Sequence, residues 1–194
     1  MHRFLSLVVI ACALSLLGGC AALKGAAAGA AGAMGGPQSE EVELTMSTMC
    51  PQCSQASQGT LNPFPAPVKY TKVGIPDVDS FVESANNVYG TVMVVDKMVA
   101  LGGQMTENPN MQVEGFTSKD EVMSLAKTMF ESASGDVPNL ITQGQSIVTD
   151  VGKFASDPKL ALAVPAATEQ LQLSIERLNE AQGKLTEMAG SFAE

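Results

Sequence analysis

Cys50 and Cys53, in Cys50-Pro51-Gln52-Cys53, are the residues whose type and spacing most directly suggest chemistry in the body of this 194-residue chain. Two thiols so placed can close a small disulfide, exchange it with a partner's thiols, or hold a soft metal ion through sulfur. Which of these applies depends on the compartment and on the other groups the chain supplies. Both questions lead back to a third cysteine, Cys20.

Met1-His2-Arg3 is short and positive, and Phe4 to Leu17 is apolar except for Ser6 and Ser15. A positive start followed by an apolar run is the secretory signal pattern. The run is 14 residues, whereas a spanning helix needs about 20. No later apolar stretch is as long, so no mature transmembrane helix is expected. The run ends in Leu16-Leu17-Gly18-Gly19-Cys20, which resembles the bacterial lipobox. The resemblance covers about a tenth of the chain. It implies cleavage before Cys20, a thioether-linked diacylglycerol on its sulfur and acylation of the new amino group. Ala21 follows the cysteine where Asp would signal inner-membrane retention in enterobacteria. The resemblance therefore favours the outer membrane of the cell envelope over the inner one. One myristoyl chain holds a protein only marginally, but two or three chains on one residue suffice as an anchor.

Such processing removes His2 and Arg3 and leaves a chain with no His, no Trp and a net charge of −10. Ser-His-Asp and Cys-His catalysis are then excluded. So are His-ligated zinc and c-type haem, because Ser54 rather than His follows the CxxC. No Gly-rich phosphate loop with its Lys is present; Gly25 to Gly36 is an Ala/Gly repeat. The acidic balance gives no general attraction to nucleic acid or anionic lipid. The twenty Asp and Glu residues leave a two-carboxylate hydrolase open on composition, but most of them fall on polar faces of predicted helices. The sequence thus predicts no catalytic residue, no metal and no cofactor.

An oxidising envelope predicts a Cys50–Cys53 disulfide acting as a structural clip. Two alternatives stay open. CPxC is similar to the glutaredoxin motif, but that family needs a helix opening at the motif, and Gly59, Pro63, Pro65 and Pro67 follow here. Val42 to Cys50 loosely resembles the strand entering the MxCxxC loop of small copper-binding domains, with Met49 one residue too close to the Cys. An unpaired or intermolecular state is the remaining option.

The elements that would position these groups follow from periodicity. Residues 1–19 form the signal peptide. Residues 20–76 form a connecting region: the lipidated Cys, an Ala/Gly-rich flexible tether to Pro37, then the CxxC and the Pro-rich run Asn62 to Pro67. Val42, Leu44 and Met46 alternate with polar residues and permit a short strand. Residues 77–194 are expected to fold as an all-α antiparallel bundle of about four long helices and one short one. The first is expected over 77–101, with Asp77 as cap and Gly102-Gly103 as stop. The β-branched run Thr91 to Val95 conflicts with helix, but the flanking periodicity outweighs it. Ser118-Lys119-Asp120-Glu121 is a capping-box pattern, and Gly135 is expected to end that helix. A third is expected over 136–156, a short one from Asp157-Pro158, and a last from Pro165 to about Phe192. Its stripe reads Leu171, Ile175, Leu178, Gln182, Leu185, Ala189 and Phe192. Gly90, Gly144, Gly152 and Gly183 inside helices mark close contacts or bends. The methionines, Met93 and Met98 among them, are expected to fill the core rather than line a groove.

Three functions fit this sequence. The favoured one is a membrane-anchored envelope lipoprotein acting as a non-catalytic interaction or assembly module with a protein partner. The second is a carrier of lipid or another amphipathic ligand between the helices. The third is a redox or copper protein using Cys50 and Cys53.

Overall fold

In the computed structural model, which describes residues 39–50, 53 and 68–192, a two-stranded ribbon and one helical turn precede three long helices. Cys20, the expected tether and the Pro-rich run lie outside the described residues. The elements are β1 (Glu40–Leu44), α1 (Met46–Met49), β2 (Val68–Lys72), α2 (Pro76–Glu107), α3 (Lys119–Asp150) and α4 (Val164–Met188). Short 3-10 turns occupy Val151–Ser156, Ala161–Ala163 and Ala189–Phe192. The fold is therefore mostly helical, with three long helices instead of the expected four and a small sheet in place of an all-α architecture.

The merger of two expected helices has a visible cause. Val122, Ala126, Ala133, Val137 and Gly144 are the buried residues of α3, and they stay in one heptad phase across Gly135. A chain that buries one continuous stripe has no reason to turn there. Among the described residues the positive-φ glycines are Gly74 and Gly115, so Gly135 makes no left-handed cap. Pro138 sits inside the helix, where it removes the bond its own N–H would have made to Ser134 C=O and crowds that carbonyl, yet the helix continues through it. The expected start of α3 holds: Ser118 Oγ accepts from Glu121 N at 3.2 Å. The return bond shifts by one residue, because the Glu121 carboxylate accepts from Thr117 N at 2.7 Å. That bond, followed by the one from the Thr117 hydroxyl, pulls the Glu121 carboxyl below its ordinary pKa.

The ends of α2 also differ from expectation. Asp77 is not the cap; the Asp79 carboxylate reaches back and accepts from Val73 N at 2.6 Å and Gly74 N at 2.9 Å. Gly74 adopts φ 78° in that turn, a conformation costly for other residues. At the far end Gly102 does not stop the helix, which runs on to Glu107. A Cβ at Gly102 would lie 2.4 Å from Met123 Sδ, so this glycine is where α2 and α3 touch. The valine run survives as helix because Val92, Val94 and Val95 are all fully buried. Helix α2 is packed by α3, α4, β2 and α1, and the turn of a helix that is covered on every side is apolar on every side.

Contacts define the direction of each helix. Gly102 near the end of α2 meets Met123 near the start of α3, and Phe81 near the start of α2 meets Gly144 near the end of α3, so these two are antiparallel. Asn86 meets Ser174, Tyr89 meets Glu180 and Asp96 meets Lys184, so α4 runs parallel to α2. The turn between α3 and α4, where a short helix was expected, is irregular and 3-10: Asp157 Oδ1 accepts from Lys159 N at 2.9 Å in an Asx turn.

The buried stripe of α4 is Ala167, Leu171, Ser174, Leu178, Ala181, Leu185 and Met188. It keeps the heptad spacing but replaces the expected Ile175, Gln182 and Ala189 with small or flexible neighbours one position earlier. Gln182 is exposed, which removes the polar exception. The helices approach too closely for bulk at these points. A Cβ on Gly144 would lie 2.5 Å from Phe81 Cζ and 2.9 Å from Ile175 Cγ1.

The ribbon occupies the segment expected to be a mainly irregular connection. β1 and β2 are antiparallel, with Glu40 opposite Lys72 and Leu44 opposite Val68. Leu44, Val68 and Tyr70 point inward and are buried. An isolated two-stranded ribbon is marginal in water, and this one is held by α4. Gln170 Oε1 accepts from Thr71 N at 3.1 Å, and Arg177 Nη1 donates to Lys69 O at 2.9 Å. The same Arg177 nitrogen donates to Asn86 Oδ1. Asn86, fully buried, donates in turn to Val82 O at 2.7 Å and Ser174 Oγ at 3.2 Å. One arginine therefore ties β2, α2 and α4 together, and its guanidinium carbon lies 5.7 Å from the centroid of the Tyr89 ring.

Two glycines test this packing. Gly144→Ala should lower stability to chemical denaturation by about 1–3 kcal/mol through overpacking. Gly183→Ala, on an α4 site with nothing within 4 Å of the new Cβ, should raise it by up to about 1 kcal/mol.

Candidate functional site

The cysteine pair is built on α1. Thr45 O accepts from Thr48 N at 3.0 Å and Met49 N at 3.1 Å, and Met46 O accepts from Cys50 N at 2.8 Å. That single turn ends at Cys50 and delivers its sulfur to Cys53. The two sulfurs lie 2.04 Å apart, at disulfide-bond distance, with Cα atoms 5.2 Å apart. Cys53 N also points at Cys50 Sγ, 3.3 Å away. Gly90 on α2 provides the seat for this turn: a Cβ there would lie 2.2 Å from Met49 Sδ. The glycine in mid-helix thus marks where the cysteine segment docks, not a bend.

The pair is expected as a clip on a loose segment, but its surroundings are core. Cys50 is 5% exposed and Cys53 0%, and both join the cluster formed by α2, the inner face of the ribbon and the adjoining helices. Cys53 Sγ lies 3.8 Å from Met98 Sδ on α2, itself fully buried. A disulfide sulfur carries no proton, so this is a sulfur–sulfur packing contact. Thiol exchange needs a thiolate that can be reached from solvent, and burial of both sulfurs works against that use. Met98 was legible only as a core methionine, because nothing in the spacing of residues 50 and 98 signals their contact.

On the inner face of the ribbon Tyr70 is buried. Burial, followed by the charges of Glu83, Glu40 and Asp79, pushes the Tyr70 phenol from 10.0 up to about 12. Burial first, then its hydrogen bond to Glu180, raises the Tyr89 phenol as well.

Among the described residues no group of three His, Cys, Asp or Glu side chains is placed to hold a metal ion. No described helix is long and apolar enough to cross a membrane. Met93, Met98 and Met188 are buried, and Met105, Met111 and Met129 pack partly buried against the core, the positions of core fillers. A surface cleft of about 320 Å³ opens between α3 and α4, lined by Phe130, Val137, Pro138, Leu185 and Ala189 with Ser134, Gln182 and Thr186. Ser134 Oγ is buried there with no hydrogen-bond partner.

Comparison of the chain with family models, with curated proteins and with solved structures found no match.

Removing the sulfur pair should be a stability lesion. Cys50→Ala/Cys53→Ala should lower unfolding free energy by about 2 kcal/mol from loop entropy alone, while far-ultraviolet circular dichroism stays helical. Tyr70 should respond to alkali. Its folded pKa lies above the unfolded value, so its contribution is fully present below pH 10 and is lost as pH rises towards about 12. Phenolate absorbance followed against pH should show its titration displaced upward, and Tyr70→Phe should remove that component.

Proposed function

We propose that this chain is an envelope lipoprotein, anchored by acyl chains on Cys20, whose helical unit serves as a non-catalytic interaction or assembly module. One observation carries the reading: the 14-residue apolar run that follows a positive start ends in Leu17, and Gly18-Gly19-Cys20 stands directly behind it. Three features support it. The sequence after Cys20 has no histidine, so the commonest general base is missing. The sulfur pair is packed into the core, as suits a clip. The acidic surface suits a protein held by lipid rather than by charge. Its partner would be a protein of the envelope, met on the side of the membrane facing away from the cytoplasm, with the outer membrane favoured over the inner.

A second reading, carriage of an amphipathic ligand, draws on the cleft between α3 and α4. Its volume of about 320 Å³ falls at the lower end of ligand pockets, and Ser134 Oγ is a polar group without a partner. A mass increment in native mass spectrometry, lost in a Thr186→Trp variant that fills the cleft from its exposed rim, would favour it over the module.

Mass spectrometry of protein from its native membranes should find a diacylglyceryl and N-acyl modification at Cys20 and no residue before it. Cys20→Ser should abolish the modification and release the protein from the membrane fraction. An unmodified Cys20 behind an intact start methionine would refute the anchor. Crosslinking of the lipidated protein in membranes should capture an envelope protein, and Cys50→Ala/Cys53→Ala should leave that capture unchanged.

A further inference from the structure

We propose that Cys50, Cys53 and Met98 form a latent all-sulfur site for Cu(I), closed while the disulfide is intact and opened by its reduction. The sequence puts two cysteines three positions apart; the fold adds a third sulfur from α2. Cys53 Sγ and Met98 Sδ are 3.8 Å apart. Three sulfurs around one ion, with metal–sulfur bonds of about 2.3 Å, sit about 4 Å from one another, so this pair already has the spacing of two ligands of one ion. Met98 cannot drift, because it is fully buried on the most enclosed helix of the fold. Cys50 closes a single helical turn and can move relative to that fixed point once the sulfurs part.

The donor set selects the ion. Two thiolates and a thioether are soft ligands and suit Cu(I). Structural zinc sites take four donors from Cys, His and carboxylates, and no third such group is placed here among the described residues. Cys50, Cys53 and Met98 are at most 5% exposed, so water does not compete for the ion.

The redox step balances. Because the closed pair is buried, reduction requires the α1 turn to lift from its seat on Gly90; a dithiol reductant then gives two electrons and two protons to the Cys50–Cys53 bond, which breaks into two thiols as the reductant becomes a disulfide. Cu(I) then displaces thiol protons, which pass to solvent. In the oxidised protein neither sulfur is a thiolate, and the thiolate is the ligand.

The test uses the full chain with Cys12→Ser and Cys20→Ser, so that Cys50 and Cys53 are its only thiols. The protein is reduced, freed of reductant without air, and titrated with Cu(I) against bicinchoninate, with circular dichroism recorded alongside. The reduced protein should stay helical and retain one Cu(I) per chain, and the oxidised protein none. Met98→Leu, close in volume, should weaken binding by about ten-fold or more, and Met188→Leu should leave it unchanged. Failure to retain Cu(I), equal affinity in Met98→Leu, or collapse of the fold on reduction would each overturn the proposal.

Discussion

Everything in this fold leans on α2. It is the one helix packed by both other long helices, by a strand and by the turn that carries the cysteines. Its middle turns, Val92, Met93, Val94 and Val95, are buried on every side. In a short chain with few aromatic residues, hydrophobic stabilisation depends on covering one element completely rather than on a few large anchors. The covering elements then have to fit around a cylinder, and that geometric demand sets the rest.

The demand is met by small residues where the helices cross. Gly102 against Met123, Gly144 against Phe81 and Ile175, and Gly90 against Met49 are three contacts where a methyl group would collide with a neighbour. On α4 the same role falls to Ala167, Ser174 and Ala181. The cost of glycine within a helix, about 1 kcal/mol against alanine, is offset by the close approach it allows. Methionine supplies the complementary part at two of these glycines, its flexible thioether lying against the groove. The ribbon is a cap on this assembly. Two backbone groups of β2 are satisfied by Gln170 and Arg177 of α4, so part of the strand's open edge is paired by side chains.

Much of this was legible. The capping pair Ser118 and Glu121, the heptad of the last helix and the alternation of Val42 and Leu44 are local signals, and each element formed where its signal lies. The failures share a cause. Gly102, Gly135 and Asp77 were read as punctuation, but helix ends are decided by whether the next turn has something to pack against. The buried stripe crosses Gly135 without losing phase, so the helix continues. The stripe of α4 lies one position earlier at three places, with Ser174, Ala181 and Met188 buried in place of Ile175, Gln182 and Ala189, because heptad spacing fixes the period of a stripe and the neighbouring helices fix its phase. The contact of Met98 with Cys53, and the Arg177–Asn86 link, join residues far apart in sequence and had no local signature.

What the sequence determined by itself is what depends on neighbours along the chain: which stretches favour helix, the absence of histidine after Cys20, and the linear pattern at Leu17 to Cys20 on which the proposed anchor rests. Tertiary structure alone decided that there are three long helices and not four, that α4 runs beside α2, and that a pair of cysteines in a connecting segment lies under the core with a methionine against it. Those outcomes depend on which surfaces exclude water together. Exclusion is a property of the assembled faces, since the same residue is stop or crossing point, clip or core, according to what is packed upon it.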